Sequence, residues 1–278
     1  MKKLVLLYIL FFFTGCELIN PDEAIPGYVQ VNNLSLQTDL ATQGSNNAKI
    51  TDAWLFANGQ EVGVFELGKA APIIPTGIVK LSIQPGIVVN GINGMRTAYP
   101  FYNALDTVFN LKPTDEVNFN LNFTYSANAT FAQIENFEGN LSLQRVSGTD
   151  TIMTISQNAQ SLEGFFGHVI MDDVRRNFNY ISSFGYLLPI TTPSYCELNF
   201  MCTEEFTVGI NTLSVQGNFN DDIVTLKPTS IWKKVYINLN DIIKTIPNPI
   251  AHKIYIKGFK QTTGGISEIM IDNLKVIY

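Results

Sequence analysis

Apolar and polar residues alternate along most of this chain in short runs, and the runs are separated by Gly, Asn, Pro and Asp. Alternation with a period of two is typical of β-strands, and helical periodicity is scarce. In the first half, the predicted strands cover residues 29–36, 53–57, 61–67, 78–83 and 117–125. Asn58 and Gly59 lie between two of these strands, and Asn-Gly is the strongest short hairpin signal because both residues accept positive φ.

A small polar segment, residues 126–130, separates this half from a second block of alternating runs. The predicted strands of the second block cover residues 141–146, 151–155, 168–171, 196–201, 207–210, 234–239, 254–259 and 268–277. A short helical turn is predicted at residues 240–244. This number of strands in one half suits a two-sheet jelly roll. The pattern therefore predicts an all-β chain with one β-sandwich at 27–126 and a jelly-roll β-sandwich at 134–278.

The first sixteen residues have a different pattern. Lys2 and Lys3 precede an unbroken apolar run over residues 4–13, and Thr14-Gly15-Cys16 follow. A positive start, a short apolar core and small residues before a cut are the parts of a secretory signal. The core has about half of the roughly 20 residues that a membrane-spanning helix needs. Residues 1–15 are therefore predicted to be a signal peptide.

The residues before Cys16 resemble a bacterial lipobox, in which an apolar residue and two small residues precede a cysteine. Phe13 is bulkier than the usual Leu, and this relaxed form is familiar from surface lipoproteins of Bacteroidetes-type bacteria. The resemblance implies that Cys16 is lipidated and that residues 16–26 form a tether. It implies an outer-membrane lipoprotein of the cell envelope, exposed at the surface. The alternative is an ordinary signal peptide with an incidental cysteine.

The charge of the chain argues against two classes of partner. Removal of residues 1–15, which include two of the 18 basic residues and none of the 24 acidic ones, leaves a net charge of −8. An acidic chain without basic clusters argues against nucleic acid as a partner and against adhesion to anionic lipid. The lipid on Cys16 is then the expected contact with the membrane.

The two remaining cysteines, Cys196 and Cys202, lie six residues apart on one predicted strand. Six residues of extended chain span about 20 Å, whereas a disulfide needs Cα atoms within about 7 Å. We therefore expect buried free thiols. The histidines, His168 and His252, are isolated and show no metal-ligand spacing.

Three segments of the second half carry a family resemblance. The strand WKKVYINL at 232–239, the closing strand EIMIDNLKV at 268–276 and the opening NFEG at 136–139 resemble galactose-binding-like and carbohydrate-binding jelly rolls. The first half resembles the small Ig-like or regulatory β-sandwiches that precede such modules. As a whole, the chain looks like a two-domain surface lipoprotein of the Bacteroidetes type.

The resemblance implies a structural calcium ion. In many such jelly rolls the first and last strands lie side by side and share calcium, and the matching acidic residues here are Glu138 and Asp272. Calcium prefers six to eight oxygen ligands. The alternative is that Asp272 forms a hydrogen bond within a turn while Glu138 is solvated.

No catalytic motif is present: there is no G-x-S-x-G, no H-E-x-x-H and no phosphate-binding glycine loop. Glycan binding would use exposed aromatic rings, which stack on sugars. The ligand-binding candidates are Tyr180, Phe184 and Tyr186, and a second aromatic stretch holds Tyr99, Phe101 and Tyr102. The alternative is that these rings fill sandwich cores.

These observations favour a non-catalytic, lipid-anchored envelope protein that binds a glycan or a protein partner through its jelly-roll domain. A competing hypothesis is a structural or assembly subunit of an outer-membrane complex. A weaker one is a glycan-active enzyme on the same fold, since such sandwiches host many functions.

Overall fold

The computed structural model describes residues 23–74 and 76–278, so Cys16 and the predicted signal peptide lie outside the described residues. The first part contains β1 (Gly27–Gln37), α1 (Leu40–Gln43), β2 (Asp52–Ala57), β3 (Gln60–Glu66), β4 (Ala70–Ile73), β5 (Gly77–Val88), β6 (Arg96–Ala98), β7 (Leu105–Leu111) and β8 (Glu116–Thr124). Within the described residues, no helix has the length and apolar character needed to cross a membrane.

These strands form two sheets that enclose a core and together make the first sandwich. One sheet has the order β4-β1-β8, with β1 parallel to β8, and the other has the order β3-β2-β5-β6, with β7 also paired to β5. The alternation of β1 and β5 places Val29, Val31, Leu81 and Ile83 inside. The turn between β2 and β3 has φ of 53° at Asn58 and 82° at Gly59, which confirms the predicted hairpin.

The second part of the chain starts with β9 and ends with β19. Its elements are β9 (Phe131–Glu135), β10 (Leu143–Arg145), β11 (Met153–Ser156), β12 (Phe166–Met171), β13 (Asn177–Ser182), β14 (Tyr195–Cys202), β15 (Phe206–Ser214), β16 (Gly217–Leu226), β17 (Thr229–Asn238), α2 (Asn240–Ile243), β18 (Pro249–Phe259) and β19 (Ser267–Ile277). They form a five-stranded sheet, β10-β13-β18-β15-β16, and a larger sheet, β11-β12-β19-β14-β17, to which β9 adds at β19. The apolar faces of both sheets meet in one core, and these strands make the second sandwich.

The all-β fold class is confirmed, because the described chain consists of sandwich-like sheets with two one-turn helices. Every predicted strand overlaps an observed one, and the predicted helical turn is α2. Strands β4, β6, β7, β9, β13 and β16 were not predicted. Cys196 and Cys202 are buried free thiols on β14, which confirms that expectation.

The first sandwich packs on the outer face of the larger sheet of the second. The core of the first sandwich continues into Tyr195, Tyr236 and Ile277 of the second. The hydroxyl groups of Tyr236 and Tyr102 are 3.1 Å apart, and the backbone N–H of Lys49 donates to Tyr236 Oη at 3.0 Å. The predicted domains, 27–126 and 134–278, are separated by a segment that follows β8 and includes most of β9. The division into two domains stays a prediction, because the two parts share this core.

An ionic network is buried in the same interface. Glu197 on β14 accepts hydrogen bonds from Tyr99 Oη at 3.0 Å and Tyr125 Oη at 2.9 Å, and its Oε2 is 2.8 Å from Lys234 Nζ. Burial raises the pKa of Glu197, but Lys234 and Lys275 outweigh that effect and hold the pKa below its usual value. The outer face of the five-stranded sheet lies on the opposite side of the second sandwich and remains open.

Candidate ligand-binding groove

The open face of the five-stranded sheet is polar because its strands alternate. On β18, Ile254 and Ile256 point into the core, so Lys253, Tyr255 and Lys257 lie on the open face. The other strands follow the same alternation, and the open face therefore carries amide, ammonium and hydroxyl groups.

A groove of about 690 Å³ crosses this face. It is lined by Gln144, Arg145, Val146, Ser147, Asn179, Ile181, Asn211, Leu213, Asn218, Asn220, Ala251, Lys253, Tyr255 and Lys257. None of these residues is Asp or Glu. A second depression of about 380 Å³ shares Asn179 and Lys257 with the groove and continues it towards Phe259 and Gln261.

Three asparagines form a preorganised amide cluster at one side of the groove. Asn211 on β15 donates from Nδ2 to Asn218 Oδ1 at 2.7 Å and to Asn220 Oδ1 at 2.8 Å. The NH₂ groups of Asn218 and Asn220 make no hydrogen bond to any residue that the structure describes. They are therefore available to donate to a ligand.

The ring of Tyr255, which is 4 % exposed, lies beneath the groove and against the backbone of Gly209. A Cβ atom built at Gly209 would be 2.2 Å from Tyr255 Cζ, so only glycine permits this approach. The hydroxyl of Tyr255 donates to Asp222 Oδ1, and Lys257 Nζ is 2.7 Å from the same oxygen. Burial and this hydrogen bond raise the pKa of Tyr255, which keeps the hydroxyl protonated.

Tyr180, a predicted ligand-binding residue, lies in the core. It is 4 % exposed, and its Oη accepts a hydrogen bond from the backbone N–H of Met153 at 2.7 Å. No face of its ring is open to a ligand, which corrects the prediction for this residue. Its neighbours Asn179 and Ile181 point the other way and line the groove.

Phe184 and Tyr186, the other two candidates, lie in the loop after β13. Phe184 is 47 % exposed. Tyr186 is half-buried against the core, and its Oη accepts from the backbone N–H of Ile254 at 3.0 Å. This loop borders the groove, because the carbonyl of Ser183 is 3.5 Å from Lys253 Nζ. A ligand role for Phe184 and Tyr186 stays a prediction.

The second aromatic stretch is buried in the interface between the sandwiches. Tyr99, Phe101 and Tyr102 are 2 %, 6 % and 6 % exposed. The ring of Tyr99 packs edge-to-face on Tyr236, with centroids 5.0 Å apart. These three rings are therefore structural, and a glycan-binding role for them is corrected.

Glu138 and Asp272, the predicted calcium ligands, line one cavity of about 280 Å³ together with Glu163. Glu138 Oε1 accepts from the backbone N–H of Phe165 at 2.7 Å, and Glu163 Oε1 accepts from Ser45 Oγ at 2.9 Å. The carboxylate oxygens in this cavity are the kind of ligand atom that calcium prefers. In residues 23–74 and 76–278, however, no three or more His, Cys, Asp or Glu side chains are arranged as a metal site.

The electrostatics of this cavity disfavour charge on Asp272. Burial raises the pKa of Asp272 to about 8, and the nearby Glu163 and Glu138 add to the shift. Asp272 Oδ2 is buried and makes no hydrogen bond to a described residue. A bound cation would stabilise the charged form of Asp272 and would give Oδ2 a partner. The calcium assignment stays a prediction.

None of the residues that line the groove was predicted, because the ligand-binding candidates in the sequence were aromatic residues. The signal was present in the segments NFNYIS at 177–182 and GNFND at 217–221, where asparagines recur at every second position. A period of two places such amides on one face of a strand. The sequence could thus have indicated an amide-rich sheet face.

Neither a family model nor a curated protein sequence matches the chain. Among solved structures, the CBM22-1–GH10 modules of Clostridium thermocellum xylanase 10B, complexed with xylohexaose, share 15 % identity at a TM-score of 0.42. The match covers 52 % of this chain and only 28 % of that one.

Two further structures are carbohydrate-binding modules. The family 11 module from Clostridium thermocellum, in complex with a mixed-linked tetrasaccharide, shares 14 % identity over 53 % of this chain and 94 % of its own, at a TM-score of 0.38. A mutant of CBM29-2 complexed with mannohexaose shares 12 % identity over 54 % and 93 %, at 0.37. With TM-scores below 0.5, none of these likenesses establishes a ligand for this chain.

Proposed function

We propose that this protein is a non-catalytic, lipid-anchored binding protein of the cell envelope and that it holds a glycan in the groove of its five-stranded sheet. The observation that carries the proposal is the groove itself. Its lining combines amides, three cationic side chains and a tyrosine with the aliphatic residues Val146, Ile181, Leu213 and Ala251, and it lies opposite the interface with the first sandwich.

The lining suits a polyhydroxylated ligand. Asn218 and Asn220 present NH₂ groups that can donate to sugar hydroxyls. The ring of Tyr255 lies beneath the groove, and Phe184 supplies an exposed ring at its border.

Binding rather than hydrolysis is proposed because the groove lining lacks carboxylates. Glycoside hydrolysis generally uses two carboxyl groups about 5–10 Å apart, one of which acts as a general acid. The lining of the groove contains neither Asp nor Glu. In the proposed function, the protein therefore binds its glycan and leaves the glycosidic bonds intact.

A glycan array with the purified protein tests this function. The parent should bind at least one glycan, and Asn211→Ala should weaken that binding because Asn211 fixes the other two amides. Asn110→Ala, at an exposed position on β7, is the matched control and should bind as the parent does. Equal binding by parent and Asn211→Ala, or no binding by a folded parent, contradicts the proposal.

The anchoring part of the proposal has its own test. The motivating observation is the lipobox-like sequence that ends at Cys16. Since each buried CH₂ adds about 0.8 kcal/mol, several acyl chains give a stable membrane anchor. Cys16→Ser should fail to label with radioactive palmitate and should leave the membrane fraction. Palmitate labelling of the variant would overturn lipidation at Cys16.

A further inference from the structure

The charge in the groove is opposite in sign to the charge of the protein. The chain has 24 acidic and 18 basic residues, yet the groove lining contains Arg145, Lys253 and Lys257 and no carboxylate. A local excess of one sign in a concave site attracts a ligand of the other sign. The groove is thus a basic site in an acidic protein.

Two of the three cations have no carboxylate partner. Among the described residues, neither Arg145 nor Lys253 forms an ion pair, and the nearest hydrogen-bond acceptor of Lys253 Nζ is the carbonyl of Ser183 at 3.5 Å. Lys257 is different, since its Nζ pairs with Asp222 Oδ1 at 2.7 Å. The free cations are therefore available for a ligand.

Two of the three carboxylates near the groove are paired with a cation, whereas Asp221 forms no ion pair with a described residue and acts on Tyr255 through its charge. Asp222 accepts from Tyr255 and pairs with Lys257. Glu205, at the edge of the adjoining depression, pairs with Lys227. Asp222 and Glu205 are therefore largely neutralised, and among the described residues neither Lys253 nor Arg145 forms an ion pair with a carboxylate.

The cations alternate with amides along the groove. Lys253 and Lys257 are four residues apart on β18, which separates their Cα atoms by roughly 13 Å. Asn211 pairs with Lys253 across one side of β18, and Asn179 pairs with Lys257 across the other. Each ammonium group thus has a carboxamide beside it. One sugar ring can therefore bind the ammonium group through its anionic substituent and the carboxamide through its hydroxyl groups.

We propose that the groove selects an anionic polysaccharide, whose sugar rings carry carboxylate or sulfate groups, over neutral glycans. This inference rests on the proposed function, because it names the class of glycan that the groove takes. Charge-assisted hydrogen bonds from Lys253 and Arg145 to the anionic groups supply the preference.

The test is titration calorimetry of the purified protein with three probes: a galacturonic acid hexamer, a sulfated galactan hexamer without carboxylates, and neutral mannohexaose. At least one anionic probe should bind about tenfold or more tightly than mannohexaose, and the pair of anionic probes distinguishes carboxylate from sulfate. Lys253→Gln should weaken anionic binding about tenfold. It should weaken binding of mannohexaose by a smaller factor, because a neutral sugar has no anionic group to pair with the ammonium group of Lys253.

Lys80→Gln is the matched control, because Lys80 is an exposed lysine on β5, outside the groove. It should bind the anionic probes as the parent does, whereas an equal loss in both variants would show non-specific attraction and overturn the proposal. Mannohexaose bound as tightly as the anionic probes would also overturn it while supporting the glycan-binding function. Failure of all three probes, together with an empty glycan array, would overturn the proposed function itself.

Discussion

Removing the charge of Glu197 should destabilise the protein strongly, because this side chain is the centre of the buried interface between the sandwiches. Its side chain is 0 % exposed, and its partner Lys234 is 2 % exposed. Glu197→Gln keeps the volume and the acceptor for Tyr99 and Tyr125 but removes the negative charge. The ammonium group of Lys234 is then buried without a counter-ion at 2.8 Å.

The size of the effect follows from that unpaired charge. Breaking a buried ion pair by removing one partner costs about 3–5 kcal/mol. For a protein of this size, about 1 kcal/mol lowers the unfolding midpoint by roughly 2–4 °C. The midpoint of Glu197→Gln should therefore fall by roughly 10 °C. Glu197→Gln combined with Lys234→Met should recover part of the loss, because neither charge remains.

Thermal unfolding followed by circular dichroism measures both effects. Lys227→Gln breaks the exposed pair between Lys227 and Glu205 and is the control, since exposed pairs contribute little. A midpoint for Glu197→Gln equal to that of the control would show that the buried ion pair does not stabilise the interface. The same conclusion would follow if the double variant lost more stability than Glu197→Gln and Lys234→Met lose together as single variants.

Two further predictions concern the cavity and the groove. Because burial raises the pKa of Asp272 to about 8, the folded protein keeps a proton that the unfolded chain releases near pH 4, and stability falls as pH rises between these values. In urea unfolding with a chelator present, Asp272→Asn should flatten this decline in stability. Added calcium should raise the unfolding midpoint of the parent and not that of Asp272→Asn. A parent whose midpoint does not change with calcium would remove the calcium prediction. Gly209→Ala should displace Tyr255, since its Cβ would lie 2.2 Å from Cζ, and should weaken glycan binding about tenfold or more; unchanged affinity would mean that the ring does not support the groove.

The strands were predictable because their pattern is local. Alternation with period two marks β1, β5 and β19 directly in the sequence, and the Asn58-Gly59 turn needs only two residues. The free thiols on β14 followed from the length of an extended chain. These features depend on neighbours in the sequence and not on how the sheets pack.

The groove and the interface depend on contacts between distant residues. The alternation in NFNY places Asn179 and Tyr180 on opposite faces of β13, but only the pairing of β13 with β10 and β18 places the Asn179 face at the groove. Tyr99 and Glu197 meet although they are 98 residues apart. Aromatic residues could therefore be found in the sequence, but their exposure could not.

Glycan binding in the groove is tested most directly by a crystal structure of the protein with the oligosaccharide that binds most tightly on the array. Sugar density should lie along the open face of the five-stranded sheet, within hydrogen-bond distance of Asn218, Asn220 and Lys253. Density confined to the first sandwich or to the outer face of the larger sheet would contradict it.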